Sequence, residues 1–146
     1  MKLNYLTIAA SLALLPCSCF AKCEGSVNLP SHQLSLAFEK NSSALENVQL
    51  KKLEKWARSL NANYAVQTWL QVSAQAQPDE DRPDDLAMAR AVDVVKAALD
   101  NGLVKAPIEI KTNVGSFGNP SSYTEAERTV TLQLTPGCRN NCCEGN

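Results

Sequence analysis

Two hydrophobic periods take turns along this chain, and their order leaves few architectures open. From Ala65 to Ala74, Val66, Leu70, Val72 and Ala74 alternate with Gln67, Trp69, Gln71 and Ser73, the two-residue period of a strand buried on one face. On either side the period becomes helical. Leu45, Val48, Leu53, Trp56 and Leu60 fall near one side of a helix expected from about Ala44 to Leu60, capped by Asn41-Ser42-Ser43 and broken by Asn61-Ala62-Asn63. Leu86, Ala87, Ala91, Val94, Val95, Ala98 and Leu99 form the apolar side of a second helix, opened near Pro83 to Asp85, continuing to Asp100 and stopped by Asn101-Gly102. Strands are expected at His32–Phe38, Ile108–Val114 and Thr129–Leu134. The order βαβαββ predicts an α+β fold, with two helices packed on one face of a mixed four-stranded sheet. Aromatic residues are only 5% of the chain, so Leu, Val, Ile and Ala must build the core.

The front end reads as an export signal. Residues 1–21 carry one charge, Lys2, then an apolar run from Leu6 to Leu15, too short to span a membrane. Cys19-Phe20-Ala21 offers a cut before Lys22, while Cys17 and Cys19 keep a lipid-anchored form as the competing reading. The expected division is therefore a signal peptide at 1–21, an N-terminal segment with Cys23 at 22–32, a domain at 33–135 and a cysteine-rich tail at 136–146. After the cut, Cys23, Cys138, Cys142 and Cys143 remain, an even count that reads as two disulfides in an exported chain. Three pairings exist, and the two that avoid a vicinal Cys142–Cys143 bridge both join Cys23 to the C-terminal cluster. A metal site at those adjacent cysteines is the rival, with poor tetrahedral geometry.

Charge and motif exclude several functions. The mature chain of about 125 residues holds 13 Lys+Arg against 15 Asp+Glu, which leaves no basic surface for nucleic acid. There is no phosphate-cradling glycine loop and no nucleophile elbow. The one histidine, His32, reads as a strand-entry residue. The acidic run Asp79, Glu80, Asp81, Asp84, Asp85 lacks the spacing and glycine of a calcium loop and reads as a solvated helix start. No enzyme, metal or cofactor is expected.

The stretch Leu86-Ala87-Met88-Ala89-Arg90-Ala91-Val92-Asp93-Val94-Val95-Lys96-Ala97-Ala98-Leu99, followed by Asn101-Gly102, resembles the Leu-Ser-x-x-Arg-Ala helix of OmpA-like domains. Phe38 and the helix after it, the strand at Thr68–Ser73 before a polar loop, and Glu127-Arg128-Thr129-Val130 before the last strand follow in the family's order. The resemblance covers about Leu34 to Leu134. It implies non-covalent binding of the diaminopimelate stem peptide of peptidoglycan, whose amino group is received by an Asp and whose carboxylate is paired by the helix Arg. A zwitterion is well held by one anion and one bidentate cation. Arg90 takes the Arg position, but Gln75 stands where the Asp belongs, and the family's loop Asn falls near Pro83.

The resemblance leaves three routes open. Asp79 or Asp81 replaces the missing anion, Gln75 accepts a ligand weakly, or the scaffold has turned to an envelope protein partner. Arg128 completes the expected pocket. Arg90 also has a plainer reading as the partner of Asp93 or an acidic loop residue. Trp69 is a candidate anchor for a protein if it faces away from the helices. A periplasmic or secreted location follows from the export signal.

Overall fold

The computed structural model describes residues 25–115, 128–139 and 142–143. Expectations for the signal segment, for Cys17, Cys19 and Cys23, and for most of the Gly115–Tyr123 loop fall outside them. The elements run β1 (His32–Ala37), α1 (Asn47–Asn63), β2 (Gln67–Ala76), α2 (Pro83–Asp100), β3 (Ile108–Val114) and β4 (Thr129–Pro136). The sheet order is β1-β4-β2-β3. β4 runs antiparallel to both β1 and β2, and β3 lies parallel to β2 across the α2 crossover. This is the expected α+β arrangement.

Both helices cover one sheet face. Leu36, Leu70, Val72, Val130, Leu132 and Leu134 from the strands meet Leu53, Ala57, Leu60, Ala91, Val94 and Ala98 from the helices in a single core, with Leu103 closing one end. Each fully buried Leu or Val contributes about 1.5–3 kcal/mol. The opposite face carries hydrogen-bonded polar pairs: Gln33 Nε2 donates to Gln133 Oε1 at 2.6 Å, and the Ser35 and Thr131 hydroxyls meet at 2.9 Å.

α2 and β3 have the expected bounds, because their signals are local. Pro83 sits in the first turn with Asp84 and Asp85. Gly102, at φ 83°, takes the left-handed stop, and Leu103 N–H reaches back to Ala98 O at 3.1 Å. α1 departs from expectation. It starts at Asn47 behind Glu46, without a side-chain cap, because Ser42 is engaged elsewhere: its hydroxyl accepts Ala44 N–H at 3.1 Å and its carbonyl holds Arg90. The later start places Gln49, Leu53, Ala57 and Leu60 inward and leaves Val48 exposed. The helix also runs through Asn61–Asn63, where Asn61 Nδ2 donates to Gly102 O at 3.1 Å.

The two ends of the domain pair with each other. Ser26 bridges to Cys143 and Asn28 to Gly137, and a disulfide joins Cys138 to Cys143. Cys142 is disulfide-bonded as well. Of the two pairings open from sequence, this bond matches the one that assigns Cys142 to Cys23.

Candidate functional site

Arg90 sits on α2 and reaches the β1–α1 connection, and it is the largest fully buried side chain described. Its five N–H donors all have acceptors inside the protein. Nε donates to Ser42 O at 2.8 Å, Nη1 to Gln75 O at 3.0 Å, and Nη2 to Glu39 O at 3.0 Å. The other two reach one carboxylate: Nη1 donates to Glu80 Oε2 at 2.9 Å and Nη2 to Glu80 Oε1 at 2.7 Å. The Phe38 ring lies 5.3 Å from the guanidinium carbon, a cation–π contact on one face of the plane.

Glu80 is the acidic loop residue that the plainer reading of Arg90 allowed for, though the sequence did not single it out from its neighbours. Both it and Arg90 have fully buried side chains. Glu80 further accepts Gln77 N–H at 2.7 Å and Asn41 N–H at 2.9 Å. Burial pushes its carboxyl up, but the hydrogen bonds from Arg90, Gln77 and Asn41 outweigh burial and hold it down at about 2. A local signal for this did exist. Pro78 stands second in the turn Gln77–Glu80, closed by Glu80 N–H to Gln77 O at 3.0 Å. That turn aims the middle acid of Asp79-Glu80-Asp81 back into the protein.

The expected replacement anions lie outside the buried pair. Asp79 is exposed and pairs with Lys40 Nζ at 2.7 Å and Arg128 Nη2 at 3.6 Å. Its hydrogen bond from Lys40 holds its carboxyl below the usual range. Asp81 is exposed too, and its backbone N–H donates to Asn41 Oδ1 at 2.9 Å. Arg128 comes within 3.3 Å of Glu80 through Nε, an ion-pair distance without hydrogen-bond alignment. Gln75 reaches Arg90 only through its carbonyl. By strand alternation its side chain lies on the face opposite Ala74 and Ala76, with Oε1 buried and unbonded among the described residues. Of the two plainer partners weighed for Arg90, the acidic loop residue is the one found, as Glu80, while Asp93 lines a surface groove with Lys96 and Asp100.

Above the buried pair, Asn41, Asp81, Arg82, Asp85, Leu86 and Ala89 line an open groove of about 310 Å³. Two of its residues have left-handed backbones, Asn41 at φ 59° and Arg82 at φ 46°. Asn tolerates this conformation, whereas Arg pays for it. Such strain gathers at binding sites. Trp69 lies on the sheet face away from the helices, 38% exposed, with Lys111 Nζ 5.9 Å from its ring centre. His32 packs against Tyr64 with ring centres 4.9 Å apart and planes tilted by 42°. Among the described residues no three His, Cys, Asp or Glu side chains gather to hold a metal ion.

No family sequence model and no curated protein sequence matches the chain. Solved structures do. The OmpA-like domain of FopA1 from Francisella tularensis superposes with a TM-score of 0.54 at 15% identity, covering 73% of each chain. The cell wall anchor of the T6SS from Pseudomonas aeruginosa gives 0.53 at 16%, over 81% of this chain and 87% of that one. The peptidoglycan-associated lipoprotein from Burkholderia pseudomallei gives 0.50 at 14%, over 68% and 88%. With two helices on one face of a β1-β4-β2-β3 sheet, this chain is a sequence-divergent domain of OmpA-like fold.

Proposed function

We propose that the chain is an exported, non-covalent binding domain of the cell envelope, with the peptidoglycan stem peptide as its default ligand and a weakened grip on it. The fold supports the class: its structural neighbours include a peptidoglycan-associated lipoprotein and a cell wall anchor. The observation that carries the weakening is the saturation of Arg90, whose five donors are spent on Glu80 and three carbonyls. A ligand carboxylate gains the guanidinium only by displacing Glu80. Asp79, Asp81 and Arg128 are the charges a ligand meets first. Loss of one charge-assisted contact costs about 1.5–3 kcal/mol, tenfold to a hundredfold in affinity.

Co-sedimentation with purified sacculi tests this, using wild type and Glu80→Ala with folding monitored by circular dichroism. Weak retention of wild type and stronger retention of folded Glu80→Ala are expected. Tight retention of wild type, unchanged by the substitution, overturns the weakening. A second reading, a module for an envelope protein partner, draws on the same saturated arginine and on Trp69 facing outward. Retention of neither variant rejects glycan binding through this pocket, and a stable co-purifying protein then favours the second reading. The intact mass of the exported chain, with and without reduction, fixes the cleavage site, any lipid at Cys17 or Cys19, and the number of disulfides. No helix among the described residues is long and apolar enough to cross a membrane.

A further inference from the structure

β3 is an edge strand, and its outer edge meets no strand among the described residues. Its pairing with β2 begins with Leu70 N–H to Pro107 O and ends with Gly115 N–H to Ala76 O. In a parallel ladder the residues bonded to one neighbour alternate, so the odd-numbered residues of β3 bond inward to β2. Ile108, Ile110 and Thr112 therefore turn their N–H and C=O groups outward. Side chains alternate as well. Ile108, Ile110 and Thr112 pair in register with Leu70, Val72 and Ala74 on the helix-covered face, while Glu109 and Lys111 share the open face with Gln71 and Ser73.

α2 packs over β2 and β3, and beside its buried side runs a second apolar stripe. Met88, Val92, Val95 and Leu99 follow a 4-3-4 spacing, with Met88, Val92 and Leu99 exposed by 47%, 51% and 42%; Ile110 on β3 is exposed by 38%. Such spacing is that of a helix seam waiting for another helix.

We propose that this edge is a homodimer interface: β3 pairs antiparallel with β3 of a second copy about Ile110, and the two α2 stripes close over the seam. Three observations agree on that one register. Ile110 opposite Ile110 is a hydrogen-bonded pair, as are Ile108 and Thr112 across the two-fold, so the outward backbone groups are satisfied. Glu109 then falls opposite Lys111 of the other copy twice, at non-hydrogen-bonded positions where side chains approach most closely. Helices centred over each β2–β3 pair come about 10 Å apart at the normal strand spacing, within reach of the ~8–10 Å of packed helices. The edge is self-complementary in charge, which is why the occupant is a second copy of this chain rather than a foreign strand.

The test is the solution mass of the oxidised, exported chain by light scattering and sedimentation at tens of micromolar. Wild type is expected at twice the monomer mass. Lys111→Glu places Glu opposite Glu at both positions and is expected to weaken the dimer at least tenfold, and Glu109→Lys does the same with two lysines. Both residues are surface positions, so circular dichroism should stay unchanged. Mixing the two variants, or combining them in one chain, restores opposite charges and is expected to restore the dimer. A monomeric wild type overturns the proposal, and so does a dimer that ignores Lys111→Glu or a mixture that stays monomeric.

Discussion

Replacing Glu80 with glutamine is expected to destabilise the domain by about 3–5 kcal/mol, the usual cost of breaking a buried ion pair from one side. The figure follows from the bonds at stake. The Glu80 carboxylate accepts two N–H groups from Arg90 and one each from Gln77 and Asn41. An amide keeps one acceptor oxygen and turns an NH2 toward donors that need an acceptor. Arg90 then keeps three carbonyl partners but no counter-charge within its cavity. At roughly 4 °C per kcal/mol for a domain of this size, thermal unfolding should move down by about 12–20 °C.

The same pair sets the acid limit. A carboxyl held near 2 in the folded state, against an ordinary 4.5, contributes about 3 kcal/mol above pH 4.5 and loses it as pH falls from 4.5 toward 2. Urea unfolding from pH 7 to pH 2 should show that slope in wild type and lack most of it in Glu80→Gln. An apolar exchange of both partners, Glu80→Leu with Arg90→Met, should recover only part of the loss. It leaves the Gln77 and Asn41 N–H groups orphaned, at about 1–3 kcal/mol each. A cost under about 1 kcal/mol for Glu80→Gln, with no change in acid slope, would refute this account of the pair.

Further expectations concern the backbone and the ends. Arg82 holds φ 46°, and its ion pair with Asp85, at 3.8 Å between exposed groups, offsets little; Arg82→Gly should raise stability by about 1 kcal/mol, read as a higher urea midpoint with the slope unchanged. At Gly137 an added Cβ would stand 2.5 Å from Thr68 Oγ1 and 3.1 Å from Val66 Cγ1. Gly137→Ala should therefore cost about 1–3 kcal/mol in thermal or urea unfolding, and adding Thr68→Ala should restore part of it. Non-reducing peptide mapping should find the Cys138–Cys143 crosslink and a second one from Cys142 to Cys23. Cys138→Ser with Cys143→Ser should cost about 2 kcal/mol, because so short a loop gains little from closure.

The elements were legible where their signals are local. Pro83, Asp84 and Asp85 start α2, and Gly102 ends it, with nothing distant required. The start of α1 was not legible, since Asn41 and Ser42 look like helix caps until Glu80 and Arg90 claim their backbone groups. β2 runs on through Gln75 and Ala76 because Asn113 and Val114 pair beside them, a contact no periodicity within β2 announces. The βαβαββ order pointed to the layers, but the position of β4 between β1 and β2 is long-range information that local pattern does not carry.

The site divides the same way, and the division bears on what a motif can mean. Arg90 stood out because it fits the helix pattern of the OmpA-like domains, and Gln75 because it breaks the strand pattern before it. Taken together they describe a clamp that lost its anion. In the folded chain an anion is present, ten residues before the arginine, and it comes from the chain's own loop. Once Glu80 is buried against the guanidinium, Arg90 is required whether or not any ligand binds, because removing it strands a carboxylate in the interior at a cost of several kcal/mol. Gln75 has no side-chain part in that pair: its side chain lies on the opposite sheet face, and only its carbonyl reaches Arg90. A retained motif arginine in such a chain reports on the stability of the fold first. It reports on ligand binding only after Glu80 has been moved.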